Sequence, residues 1–136
     1  MKKLRIAIIG TGGIANAHMN AYKQMEDVEI VGGADIIPGK ARAFFDRHGL
    51  PEAKDFDDTE TMLEALKPDA VSVCTYNSTH AVCAIAALRA GCHVLLEKPM
   101  TVTLEDAQEI RRVEKETGKI VTIGFQPRYD GRMKKI

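Results

Sequence analysis

Five short runs of β-branched and aliphatic residues, Leu4 to Ile9, Val28 to Ala34, Ala70 to Cys74, Cys92 to Leu96 and Ile120 to Gly124, alternate with stretches of helical character. Strands that are apolar throughout need cover on both faces, and intervening helices provide it when the sheet is parallel. A weaker strand is expected at Ala53 to Phe56. It is followed by a helix from about Thr59 to Leu66 that stops before Pro68, because the residue preceding a proline avoids helical geometry. The pattern predicts an α/β fold, a doubly wound parallel sheet of about six strands with helices on both faces. Ile14, His18, Ala21, Tyr22 and Met25 fall on one helical face, as do Leu104, Ala107, Ile110 and Val113. Both sets read as sheet-packing stripes. Ser78, and Thr103 with Asp106 three residues on, mark helix starts. Gly49, Gly91 and Gly118 mark helix exits.

A chain of 136 residues has room for one ordinary domain. Residues 1–124 are expected to form it, with 125–136 leaving the sheet toward a further domain that is absent. Nineteen basic residues balance nineteen acidic ones, so no global field favours nucleic acid or an anionic membrane as partner. Arg128, Arg132, Lys134 and Lys135 read as a solvated helix face. No apolar stretch approaches the roughly 20 residues needed to span a bilayer. The start lacks a signal-peptide core, so a cytoplasmic location is expected. Cys74, Cys83 and Cys92 are odd in number and form no paired motif, and they read as buried filler in a reducing compartment. His18, His48 and His93 lack metal-ligand spacing and read as packing or surface residues, so no metal site is expected.

The first strand runs into Gly10-Thr11-Gly12-Gly13-Ile14-Ala15. A strand ending in a small-residue turn that opens a helix offers backbone N–H groups and a positive helix end to a pyrophosphate. Gly10 serves the tight turn, Gly12 the close approach of the ligand and Ala15 the packing of helix on strand, while Gly13 and Ile14 add to the mouth. Such a turn is also compatible with a bare structural bend. Asp35 ends the second strand 25 residues after Gly10, where a carboxylate can accept from the adenosine ribose hydroxyls. Its charge would oppose the extra phosphate of NADP, which favours NAD. The alternative is an aspartate that caps the following turn at Pro38-Gly39.

Thr75, Tyr76 and Asn77 follow the fourth strand, and His80 opens the next helix. All lie at the carboxyl edge of the sheet, placed for polar contacts to ribose or nicotinamide, although His80 would equally serve by satisfying a nearby carbonyl. Glu97-Lys98-Pro99 follows the fifth strand at the same edge. A lysine in a dry cleft beside a positive charge loses its proton more readily and can exchange one with an alcohol oxygen. Lys98 is therefore the candidate catalytic residue, with Glu97 beside the lysine or the nicotinamide. The competing reading is a surface Glu-Lys pair.

Taken together, these residues resemble the N-terminal half of the glucose-fructose oxidoreductase, inositol dehydrogenase and MocA family. The resemblance rests on Gly10 to Ala15, Ala34-Asp35, Cys74 to Asn77 with His80, Gly91 to Pro99, and Gly124 to Tyr129. It implies a Rossmann domain that binds NAD or NADP, with Lys98 as the matched catalytic lysine and Glu97 and Asn77 near the nicotinamide. It also implies an oxidoreductase acting on sugars, inositols or related polyols, with Arg128 and Tyr129 reaching toward the substrate domain. Tyr76 departs from the proline common in that position. The family's C-terminal α/β domain is not in this sequence, so the chain by itself is expected to bind cofactor with little or no turnover. A stand-alone dinucleotide-binding or redox-sensing module, and a scaffold that uses the fold for association alone, are the competing expectations. Phe125 and Tyr129 would leave an apolar face that favours self-association, or partial disorder from about Gln126 onward.

Overall fold

The computed structural model describes residues 3–75, 79–96 and 103–123. In chain order the elements are β1 (Leu4–Ile9), α1 (Gly13–Lys23), β2 (Val28–Ala34), α2 (Lys40–Arg47), β3 (Lys54–Phe56), α3 (Thr59–Leu66), β4 (Ala70–Val73), α4 (His80–Arg89), β5 (His93–Leu96), α5 (Leu104–Thr117) and β6 (Val121–Ile123). The strands form one six-stranded sheet in the order β3-β2-β1-β4-β5-β6, and every pairing is parallel. The chain steps outward from β1 to β3, then crosses back to lay β4 on the other side of β1. The carboxyl ends of β1 and β4 thus flank the point where the winding reverses, where sheets of this kind form their crevice.

Alternation along β1 divides the core. Ile6 and Ile8 face Ala15, Met19 and Tyr22 of α1 and Ala41, Phe44 and Phe45 of α2. Ala7 and Ile9 face the opposite layer, where α3, α4 and α5 bury Met62, Leu63, Ala84, Leu88, Ile110 and Val113. Helices on both faces make the sheet doubly wound, as the alternating runs require.

Local chemistry sets the helix ends. Asp58 caps α3 by accepting from the Thr61 N–H at 2.8 Å, and the helix leaves through Lys67 at φ 46°, just ahead of Pro68. Thr103 Oγ accepts from the Asp106 N–H at 3.0 Å to start α5, which ends at Gly118 with φ 72°. Thr79 stands at the N-cap of α4. Ser78, read as that helix's cap, lies outside the described residues.

Two packing expectations need correction. On α1 the buried set is Ala15, His18, Met19 and Tyr22, whereas Ile14 and Met25 are each 42% exposed. Ile14 sits in the first turn at the sheet's edge, and Met25 lies past the last helical residue, where it borders an open groove with Leu4, Ile6 and Val28. Leu104 is 74% exposed because it opens α5 ahead of the turns that reach the sheet. The buried face of α1 is also partly polar. His18 Nδ1 lies 3.0 Å from Ser72 Oγ of β4, and the Tyr22 hydroxyl shares a hydrogen bond with the same serine.

Candidate functional site

Gly10 leaves β1 at φ +88°, a conformation that costs any residue with a side chain. Its N–H donates to Ala34 O of β2 at 2.8 Å. A Cβ at Gly10 would lie 2.9 Å from the Cys74 backbone and from Thr75 Cγ2, beyond the end of β4. The turn is therefore clamped between its two neighbouring strands. Gly12 differs, since its backbone is extended at φ −81° and a Cβ there, or at Gly13, would meet nothing among the described residues within 4 Å. Gly12 is the N-cap of α1, which has no side-chain cap and no acidic residue in its first turn. A helix end without a side-chain cap is electrostatically suited to an anion. Half-exposed Ile14 borders it.

Asp35 follows β2 and is buried beside the turn. Its Oδ2 accepts from both the Thr11 N–H at 2.8 Å and the Thr11 hydroxyl at 2.7 Å, and its Oδ1 accepts from the Ile37 N–H at 3.0 Å. Burial pushes this carboxyl up. The hydrogen bonds from Ile37 and Thr11, with Lys40 nearby, outweigh burial and hold it below the usual carboxylate range. Asp35 thus carries its charge at neutral pH. It also braces the turn that follows it through Ile37, so the capping alternative describes part of what it does.

Thr75 follows β4 beside Gly10. Buried His80 sets its Nε2 3.0 Å from the Thr75 carbonyl, which ties the start of α4 to that loop. Leu96, the last residue of β5, is in register with Val73 of β4 and Ile123 of β6, so these strands end at a common edge. Asn77, Glu97, Lys98, Arg128 and Tyr129 lie outside the described residues. Among the described ones, Gly10, Gly12, Gly13, Ile14, Asp35, Thr75 and His80 all converge on the carboxyl edge around β1.

The other histidines serve the scaffold. His48 Nε2 lies 2.7 Å from Asn16 Oδ1, linking α2 to α1, and burial, then Lys23 and Arg47, push its pKa down. His93 Nδ1 accepts from the Ile120 N–H at 3.1 Å. Thr11 is the site residue that the sequence reading passed over. Parallel pairing of β1 with β2, which sets Ile9 against Ala34, was the signal that could have put Thr11 beside Asp35.

A family model described as "Oxidoreductase family, NAD-binding Rossmann fold" (GFO_IDH_MocA) matches residues 4–125. The chain is 39% identical over 127 residues to the D-glucoside 3-dehydrogenase of Escherichia coli, covering 93% of this chain and 36% of that protein. It is 36% identical over 129 residues to the inositol 2-dehydrogenase of Salmonella typhimurium, covering 93% and 38% respectively. It therefore spans under two fifths of the length of these curated relatives. Among solved structures, the WlbA dehydrogenase of Chromobacterium violaceum, in complex with NADH and UDP-GlcNAcA, superposes with a TM-score of 0.87 at 29% identity, over 99% of this chain and 39% of that one. A protein from Desulfitobacterium hafniense described as an NADPH-dependent oxidoreductase gives 0.87 at 28%, over 99% and 38%. The switch-point crevice, its clamped glycine turn and these likenesses agree, and the chain belongs to the Gfo/Idh/MocA oxidoreductase family with its NAD-binding Rossmann fold.

Proposed function

We propose that this chain is the cofactor-binding portion of an oxidoreductase that moves hydride between a nicotinamide cofactor and a sugar, inositol or related polyol. The observation that carries the reading is the uncapped N-terminus of α1 at Gly12 and Gly13, open among the described residues and set beside the ionised Asp35. The residues fit a dinucleotide. The helix end and glycine backbone would hold the pyrophosphate, Asp35 the adenosine ribose, and the Thr75 loop, braced by His80 and continuing to Asn77, the nicotinamide side.

Asp35 also supports NAD over NADP. A second negative charge ~4 Å from the carboxylate costs about 4 kcal/mol at an effective dielectric near 20, before screening. Since one solved relative is described as NADPH-dependent, the choice rests on the charge at this chain's own β2 end.

When bound, the nicotinamide supplies hydride transfer. The part proposed for Lys98 is to hold or release the proton of the substrate alcohol oxygen, with Glu97 orienting it. Arg128 and Tyr129, within the connecting segment 125–136, are assigned to the substrate side. The dehydrogenase relatives act on a glucoside and on inositol, which supports a polyhydroxylated substrate. Self-association through Phe125 and Tyr129 belongs to the same proposal.

Thermal melting of the 136-residue chain with NAD, NADH and NADP, alongside Asp35→Ala, tests the reading. At a concentration ~100 times the dissociation constant, NAD should add about 2.7 kcal/mol of stability. NADP should add less, and Asp35→Ala should shrink the NAD shift. The absence of a shift with any dinucleotide would refute cofactor binding by this chain.

A further inference from the structure

We infer that Thr11 is a positioning residue for adenosine-ribose recognition, because its hydroxyl and N–H together lock Asp35 Oδ2 and leave Oδ1 as the oxygen offered to the ligand. An ionised carboxylate has about four acceptor positions. Thr11 takes two of them, both on Oδ2, at 2.8 and 2.7 Å. The Ile37 N–H takes one on Oδ1 at 3.0 Å. One position remains, and it is on Oδ1. Thr11 is 2% exposed and Asp35 8% exposed, so water competes poorly for these contacts.

The oxygen left with an acceptor position for the ribose is therefore held in place from behind by the residue between the turn's first two glycines. The turn that faces the pyrophosphate and the carboxylate that faces the ribose form one rigid unit. A threonine between Gly10 and Gly12 then bears on cofactor selection without touching the cofactor.

The inference rests on the proposal that Asp35 meets the ribose, and the test separates the two. Calorimetric titrations with NAD and with NADP compare the wild-type chain, Thr11→Val, Thr11→Ser and Asp35→Ala, and melting without ligand checks that each variant is folded. Valine keeps the shape of threonine and the backbone N–H but removes the hydroxyl. Serine keeps the hydroxyl.

Thr11→Val is expected to weaken NAD about tenfold, the loss of one charge-assisted hydrogen bond. It should leave NADP within about twofold, narrowing the NAD-to-NADP preference, and Thr11→Ser should restore that preference. Wild-type NAD affinity in Thr11→Val, with weakening in Asp35→Ala, would overturn the role of Thr11 alone. Equal losses for both dinucleotides in Thr11→Val, with no rescue by serine, would reduce Thr11 to a structural part of the turn and overturn it also. No loss in Asp35→Ala would overturn ribose contact by Asp35, and the role of Thr11 with it.

Discussion

Substituting Gly12 by valine should separate binding from folding, while substituting Gly10 by alanine should damage the fold. At Gly10 the left-handed backbone of φ +88° costs a residue with a side chain about 1–2 kcal/mol. The new Cβ, 2.9 Å from the Cys74 backbone, adds an overpacking cost on the order of 1–3 kcal/mol. The expected loss is about 2–5 kcal/mol, a fall in Tm on the order of 10 °C for a domain of this size. At Gly12 the backbone is extended and no described residue would meet a Cβ within 4 Å, so only the weaker N-cap preference is lost, at most about 1 kcal/mol. The same valine would stand where a pyrophosphate must approach the α1 N-terminus, and NAD affinity should fall by at least ~10-fold, or 1.4 kcal/mol. Urea denaturation gives the stability and calorimetric titration gives the affinity. Unchanged NAD affinity in Gly12→Val, or a Gly12→Val chain as destabilised as Gly10→Ala, would refute the division of labour between these two glycines.

The remaining predictions concern the scaffold and the charge at the site. Burial raises the Tyr22 pKa to about 12, against the Ser72 hydrogen bond that lowers it, so the folded state holds this proton longer than the unfolded chain does. Stability from Tyr22 is complete below about pH 10 and is lost as pH rises from there through about 12, and Tyr22→Phe should flatten that alkaline limb in denaturation measured against pH. The depressed pKa of Asp35 acts in the opposite direction. Its contribution is present above the ordinary carboxylate range and is lost as pH falls through the folded value, so Asp35→Asn should be less stable than wild type at neutral pH, with the gap closing in acid. Thr103→Ala removes the side-chain acceptor for the Asp106 N–H and should cost about 1 kcal/mol in urea melts.

Residues whose signal is local were legible in the sequence, and those whose partners come from tertiary register were not. Helix α3 runs from Thr59 to Leu66 as read, because Pro68 forbids its continuation whatever surrounds it. Gly49, Gly91 and Gly118 all take left-handed backbone at helix exits. The apolar runs became strands within a residue or two of their expected ends. Helix faces were less legible, since Ile14, Met25 and Leu104 have the right period but sit at or just past helix ends, where solvent reaches them. Polar burial was legible least of all. His18 and Ser72 are 54 residues apart and meet only because α1 crosses β4. The Thr11–Asp35 pair likewise forms only once β1 lies beside β2 in parallel register, although each residue was visible in its own motif.

The measurement that bears most directly on the central claim is a titration of the isotope-labelled chain with NAD, followed by backbone amide NMR. Saturable shifts should gather at Thr11, Gly12, Gly13, Ile14, Asp35 and Thr75, around the carboxyl ends of β1, β2 and β4, while amides at the opposite edge, such as those of Leu4, Val28 and Ala70, stay in place. No saturable shift, or shifts gathered at that opposite edge, would contradict a cofactor site at the glycine turn.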